Sequence, residues 1–314
     1  MRRVRLSALW GAAAGIVLAG VLARAQNFDK VEIQAEKLTE HVYALKGSGG
    51  NIGLCVGEDG AFVIDDQYAP LTKKILAAIA AVTDKPVRFV INTHWHGDHA
   101  GGNENLGREG AVIVAQENVR KRLAMDQIFV DASGEADTSR ALAHAGLPVI
   151  TFREEVDFHV NGDDLHVFHV EHAHTDGDAI IRFANANVVH MGDTFFNGFY
   201  PFIDLRTGGS VDGYIAAVDK VLGMVDGASR IIPGHGPVTD RAGLQKFHDM
   251  LVACRERVRQ AVAQGQRLDQ VQGAKPTADF DPVWGGSKFM PPQRFVQTLY
   301  EDLAHEAEAG AGRK

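Results

Sequence analysis

Short apolar runs separated by glycine- and aspartate-bearing turns dominate the first half of the chain. Val31-Glu32-Ile33-Gln34-Ala35 alternates apolar and polar positions, the mark of a half-buried strand, and Val42-Tyr43-Ala44-Leu45 and Asn51 to Val56 continue the pattern. Glu58-Asp59-Gly60 is a turn signal leading into Ala61-Phe62-Val63-Ile64-Asp65, so these runs read as consecutive antiparallel strands. From Pro70 to Thr83 the period changes. Leu71, Ile75, Leu76 and Ile79 fall at helical spacing behind an early proline. Val87 to Asn92 and Ala111 to Ala115 are short buried strands, and Glu117 to Met125 is helical. Residues 126–148, with Asp131, Ser133, Gly134 and Pro148, lack clean periodicity and read as a long loop, either a lid over a site or a surface insertion.

A second strand-rich block follows at Glu155 to Val160, Leu165 to Val170, Ala179 to Phe183 and Val188 to His190. Val211 to Val225 is helical, Arg230-Ile231-Ile232 is a last strand, and Arg241 to Gln264 is a helix. The tail from Leu268 is broken by Pro276, Pro282, Pro291 and Pro292 and carries one helix-like run, Gln293 to His305. Strands, helices, strands, helices in that order predict an α/β (α+β) chain in which two sheets pack together between helices.

The chain has 314 residues, 45% of them hydrophobic, enough for a sizeable core. Residues 1–25 stand apart from it: Arg2, Arg3 and Arg5 precede the apolar run Leu6 to Leu22, and Ala23-Arg24-Ala25 supplies small residues at a cleavage site. This stretch reads as a secretory signal peptide, with an uncleaved anchor as the rival, and predicts a periplasmic or secreted protein free of the membrane once cleaved. Its loss removes four arginines and no acidic residue. The 32 basic residues fall to 28 against 40 acidic ones, a balance of −12 that disfavours nucleic-acid partners. Cys55 and Cys254 fit no metal spacing; an exported protein permits a disulfide, and a buried free thiol is an equal expectation for Cys55.

The candidate chemistry is concentrated in Thr93-His94-Trp95-His96-Gly97-Asp98-His99, at the end of the strand Val87 to Asn92. Residues two apart in an extended chain point the same way, so His94 and His96 converge on one ion. Gly97 is expected to allow a sharp turn, after which Asp98 and His99 face a second position. Imidazole with carboxylate suits zinc, and iron or manganese take the same ligands. Three further stretches end or follow apolar runs: His172-Ala173-His174-Thr175-Asp176-Gly177-Asp178, His190-Met191-Gly192-Asp193-Thr194 and Pro233-Gly234-His235-Gly236.

In this order the motifs resemble the metallo-β-lactamase superfamily, from about Val31 to Cys254. The resemblance implies an αββα sandwich, two mixed β-sheets flanked by helices with a site at one edge, spanning residues 26–314 with a helical C-terminal extension. It implies that His94, His96 and His174 bind one metal, that Asp98, His99 and His235 bind a second, and that Asp193 bridges them. Two Zn2+ ions roughly 3.5–4 Å apart would share a hydroxide for attack on a carbonyl, and Asp98 would hold or shuttle a proton to the leaving group. His172 competes with His174 as a ligand, but the His-Thr pair favours His174.

Within that superfamily several branches are separable. The best-known zinc β-lactamases resemble this chain but carry a cysteine at Asp193 and a lysine three residues on, where Phe196 stands; Arg206 is the candidate replacement charge. Glyoxalase II shares the bridging aspartate, although its extra helical region is not evident in the tail. Flavodiiron oxidases replace the second histidine by glutamate, against His96. Gly47-Ser48-Gly49-Gly50-Asn51 resembles a hairpin that closes over substrate, or is an ordinary glycine turn. Phe195, Phe196, Phe199, Tyr200 and Phe202 line an apolar pocket or belong to the core. Asp65 and Asp66 orient imidazoles or lie on the surface. His159, His166 and His169 are expected to face solvent, and His190 to pack. The expected function is hydrolysis of an ester, thioester, lactone or amide carbonyl in a small-molecule substrate, with β-lactam opening as a main or side activity. The alternatives are a glyoxalase II-like thioesterase and a non-haem iron oxidoreductase on the same fold.

Overall fold

A computed structural model describes residues 27–130 and 136–311. The predicted leader, residues 1–25, lies outside the described residues, as do Asp131, Ser133 and Gly134. Strands β1 (Gln34–Lys37), β2 (Val42–Lys46), β3 (Ile52–Gly57) and β4 (Gly60–Ile64) form an antiparallel meander. Helix α1 (Thr72–Ala80) crosses to β5 (Val87–Ile91), which runs parallel to β4. After α2 (Gly97–Ala100) and α3 (Asn103–Arg108), β6 (Val112–Gln116) adds in parallel. Helix α4 (Glu117–Leu123) and a separate hairpin, β7 (Gln127–Val130) with β8 (Ala136–Ser139), precede β9 (Ile150–Phe152), which closes this seven-stranded mixed sheet.

The second sheet is antiparallel from β10 (Glu155–Val160) through β11 (Asp163–His169) and β12 (Ala179–Phe183) to β13 (Val188–His190). Helix α5 (Val211–Leu222) then returns the chain to β14 (Arg230–Ile232), parallel to β13. Four helices complete the described chain: α6 (Arg241–Ala263), α7 (Leu268–Gly273), α8 (Asp281–Trp284) and α9 (Pro292–Ala311).

Alternation along the strands sorts side chains into layers. Val42, Cys55, Phe62, Ile64 and Ile91 of the first sheet meet Leu165, Val167, Ile181, Phe183 and Ile232 of the second. Each such side chain stabilises the fold by roughly 1.5–3 kcal/mol on burial. The other face of the first sheet carries Leu45, Leu54 and Val63 against Leu71, Ile75 and Ile79. Phe168, Ile180, Val189 and Ile231 pack outward on α5, α6 and α9 through Tyr214, Phe247 and Phe295. The result is the predicted αββα arrangement. Ser210 and Asp240 start α5 and α6 by accepting from the N–H of Gly213 and Gly243, satisfying otherwise orphaned donors. Cys55 and Cys254 lie in different cores, both free.

Three sequence expectations shift. The first strand begins at Gln34 rather than Val31, because Lys74 Nζ draws the carbonyls of Phe28, Asp29 and Val31 to itself and holds that stretch off the sheet. Residues 126–148 are not one loop: Gln127–Val130 pairs with Ala136–Ser139, a strand signal present in Ile128-Phe129-Val130. The tail holds three helices rather than one.

Candidate metal centre

Because β4 and β5 are parallel neighbours, as are β13 and β14, the turns after all four strands open at the same edge of their sheets. Those turns carry Asp65, His94 to His99, Asp193 and His235. His174 joins from the β11 to β12 connection, where Asp178 accepts from the Thr175 N–H at 2.7 Å and the Thr175 hydroxyl at 2.6 Å. This buried bracket fixes the histidine's loop, and burial pushes the Asp178 carboxyl up to about 7 against those donors. Gly97 does not work as expected: its backbone is not left-handed and a Cβ there would meet nothing, so α2, beginning at Gly97, makes the turn.

At the first position, His94 Nε2 lies 3.1 Å and His174 Nε2 2.9 Å from His96 Nδ1. The opposite ring nitrogens fix the tautomers. His174 Nδ1 donates to the Phe202 carbonyl at 2.8 Å and His96 Nε2 to Asp204 Oδ2 at 3.1 Å. His94 Nδ1 meets Thr93 Oγ1 at 3.0 Å, and that hydroxyl gives its own proton to Asp65 Oδ2 at 2.7 Å. With each imidazole donating outward, three lone pairs converge inward and repel, an arrangement that a metal cation among them relieves. His94, His96, His174 and Asp193 offer ligand atoms all within 4.8 Å of one another.

Asp98, His99 and His235 form a second such group. His99 Nε2 stands 3.3 Å from His235 Nε2, and Asp98 Oδ2 is 3.3 Å from His235 Nε2 and 3.7 Å from His99 Nε2. Asp193 faces both groups. Its Oδ2 lies 3.5 Å from His174 Nε2 and 3.8 Å from His94 Nε2; its Oδ1 lies 3.1 Å from His99 Nε2 and 3.3 Å from His235 Nε2. Oδ1 is buried and in hydrogen-bond geometry with no group among the described residues. An orphaned carboxylate oxygen between two imidazole groups fits a metal ligand.

Burial dominates the electrostatics of the first position and depresses His94 well below the usual imidazole range, helped by His99, and His174 to about 4, partly opposed by Asp193. At the second position the carboxylates win. Asp193 and Asp98 outweigh burial and raise His99 strongly and His235 to about 9. Conversely His99 and His235 overcome burial to hold Asp98 at about 2 and Asp193 well below the carboxylate range. Metal entering this second group must therefore displace protons.

Two residues around the cluster escaped sequence reasoning. Asp204, whose carboxyl His96 holds at about 2 against burial, comes from a turn 108 positions away with no local signal. Thr93 sat inside the motif as a linker. Asp65, left between two readings, is fully buried and accepts from the Thr93 N–H, the Thr93 hydroxyl and His99 Nδ1, each at 2.7 Å. Asp66 is buried too and anchors the Gly102 N–H at the start of α3. His172 is exposed, donating to the Gly208 carbonyl at 2.9 Å, and takes no part. His159 is exposed, but His166 and His169 are half-buried, bonded to Asp157 and to the Asp178 carbonyl. His190 is packed against the Asn51 carbonyl.

The aromatic run divides. Phe195, Phe196 and Tyr200 are core, Phe196 also stacking on His235 at 5.1 Å, whereas Phe199 and Phe202 are partly buried and Phe202 stands 6.0 Å from His96 and 5.8 Å from His174. Arg206 is exposed. The glycine loop 47–51 is strapped down rather than open: Gly50 N–H donates to the Asp98 carbonyl, and Asn51 bonds the carbonyls of Pro233, Gly234 and Gly236. A Cβ on Gly50 would fall 2.1 Å from His99 Cε1. Gly50→Ala is therefore expected to fold yet lose about 100-fold in turnover, since ~1 Å of misplacement costs that much; unchanged metal content and activity would contradict it.

The family model of the Metallo-beta-lactamase superfamily matches residues 45–235. The hydroxyacylglutathione hydrolase of Erythrobacter litoralis is 28% identical over 111 residues, 35% of this chain and 35% of that protein. The chain thus spans about a third of that relative's length. A metallo-beta-lactamase type 2 of Bacteroides fragilis is 23% identical over 69% of this chain and 85% of its own. Among solved structures, a metallo-beta-lactamase from Pontibacter korlensis superposes with a TM-score of 0.58 at 19% identity, covering 70% of this chain and 99% of its own, and shares the fold.

Proposed function

Because the chain belongs to the metallo-beta-lactamase superfamily, we propose that it is an exported, metal-dependent hydrolase acting on an ester, thioester, lactone or amide carbonyl, with β-lactam opening as a main or side activity. The observation that carries this reading is the inward convergence of imidazole lone pairs beside a second His/Asp group, with Asp193 facing both. Zinc suits that donor set, and iron or manganese accept the same ligands. Two ions there would polarise the carbonyl and make a water acidic enough to attack at neutral pH.

The chain's own groups supply the rest. His94, His96 and His174 would hold one ion, and Asp98, His99 and His235 the other, with Asp193 placed to serve both. Asp98, one-quarter exposed and charged, takes the proton of the attacking water at Oδ2 and returns it to the leaving group. Phe196 and Phe202 keep bulk water from the imidazole walls. Asp98→Asn is expected to lower turnover by about 100-fold, the scale of one positioned proton relay. A variant keeping both ions and full turnover removes Asp98 from that role.

A thioesterase is the second reading, favoured by the hydroxyacylglutathione hydrolase relative and by an aspartate at position 193. Turnover of a β-lactam, a thioester and a lactone by metal-loaded protein, with a chelated control, separates the two. Thioester turnover alone rejects the lactamase emphasis. Iron-dependent consumption of dioxygen that zinc does not support, without carbonyl turnover, would point to an oxidoreductase instead, and no metal-dependent turnover of any carbonyl would end the hydrolase reading.

A further inference from the structure

The match to the family model ends at residue 235, yet the chain returns to the site well beyond it. Tyr200 is the hinge of that return. Its ring stacks on Phe295 of α9 at 4.5 Å, its hydroxyl donates to Asp281 at 2.8 Å, and its N–H donates to the Trp284 carbonyl at 2.9 Å. Phe295 and Val296 are buried in the same core, so the first turn of α9 is fixed next to the segment that follows Asp193.

That placement brings Phe289 and Arg294 onto Phe202. The Phe289 and Phe202 rings meet edge to face at 5.6 Å, and the Arg294 guanidinium lies 5.7 Å from the Phe202 centroid and 5.9 Å from that of Phe289. Phe202 in turn touches the metal group: its ring stands beside His96 and His174, and its carbonyl receives His174 Nδ1. Phe289 is 42% exposed, an apolar surface that water covers at a cost. A guanidinium held over aromatic faces keeps its charge and planar fork, the geometry that recognises a carboxylate. Arg294 has partners beyond these rings, and its five donors allow a ligand to share it. Meanwhile Phe196 stacks on His235 where the resemblance places a lysine, and Arg206 is exposed.

Building on the hydrolase reading above, we propose that Phe202, Phe289 and Arg294 form a substrate subsite beside the first metal position, selecting carbonyl compounds that carry an apolar or aromatic group next to a carboxylate. The C-terminal helices thus supply specificity to a site whose ligands come from the sheets. Arg294 and Phe289 act in binding and not in proton transfer.

Two measurements test this. The first compares metal-loaded wild type with Arg294→Gln and Arg294→Lys on a phenyl ester bearing a free carboxylate and on its methylated, neutral twin. The preference for the charged ester is expected to fall about tenfold in Arg294→Gln, as for one lost charge-assisted hydrogen bond, and partly recover in Arg294→Lys. The second titrates phenylacetate and phenylacetamide calorimetrically into the same proteins and needs no turnover. Phenylacetate should bind more tightly than the amide in wild type, lose that advantage in Arg294→Gln, and weaken together with the amide in Phe289→Ala. Equal discrimination in wild type and Arg294→Gln by both measurements overturns the subsite. If neither ester is hydrolysed, ester hydrolysis drops out of the hydrolase reading, and the calorimetric comparison still supports or rejects the subsite by itself.

Discussion

Asp193→Ala is expected to abolish turnover of every substrate and to cost the protein its metal-dependent rise in melting temperature. The side chain presents one oxygen to His94 and His174 and the other to His99 and His235, so one truncation removes the carboxylate that faces both groups. It also removes the leading one of the anions that keep His99 and His235 in their raised range, leaving Asp98 beside both rings and Asp65 beside His99 as the remaining counter-charge. Each 1.4 kcal/mol of lost transition-state stabilisation is tenfold in rate, and a catalytic metal supplies several, so the loss is on the order of 10^3-fold or more. Metal content by mass spectrometry and melting curves across a range of free zinc check it. Wild-type stoichiometry in the variant would show that the two groups hold ions independently, and full turnover as well would remove Asp193 from the site.

Asp65→Asn produces the second large effect, at a residue whose carboxylate lies close to His94 and His99 and acts through their rings. Its two oxygens serve three donors: Oδ1 takes the Thr93 N–H, and Oδ2 takes both the Thr93 hydroxyl and His99 Nδ1. Through Thr93 it reaches His94, and through His99 it reaches the other group, so one carboxylate sets ring orientation at both. An amide keeps the volume and tolerates the left-handed backbone found here, φ 62°. It can accept at only one end, so at least one fully buried donor loses its partner, at about 1–3 kcal/mol. Metal affinity should fall about 10–100-fold at both positions, the usual result of removing an orienting partner. Chelator competition measures it. A variant that binds both ions as tightly as wild type would show that the rings are positioned by packing alone.

Of the residues that the structure gathers into the two His/Asp groups, His94 and His96 were legible from a local signal, a strand that runs out with histidines two residues apart on one side, whereas His174, Asp193 and His235 were singled out by the resemblance of their motifs to the family. The His-Thr pair, with Thr175 able to fix the loop, placed His174 over His172, and the exposure of His172 agrees with that order. Asp65 stayed undecided since alternation says which face a strand residue takes but not what a strand's last residue turns to meet. Asp204 and Arg294 were out of reach for a different reason, being delivered by tertiary packing from 108 and 198 positions beyond His96. The hairpin at 127–139 was missed because its signal, Ile128-Phe129-Val130, is a three-residue apolar run too short to show a period, and Ala136–Ser139 carries none. The start of β1 was misplaced by the ammonium of a lysine on the facing helix, a long-range competitor that no window of neighbouring residues contains.

Cys55 and Cys254 each lie in a different core, and burial raises their thiols to about 11 and 12. Neither sulfur is poised to form a thiolate at ordinary pH, and no disulfide joins Cys55 to Cys254 across the sandwich. Folding then needs no oxidant and no isomerase, and reductants have nothing to cut. The chain should reach the same shape in a reducing cytosol as in an oxidising compartment.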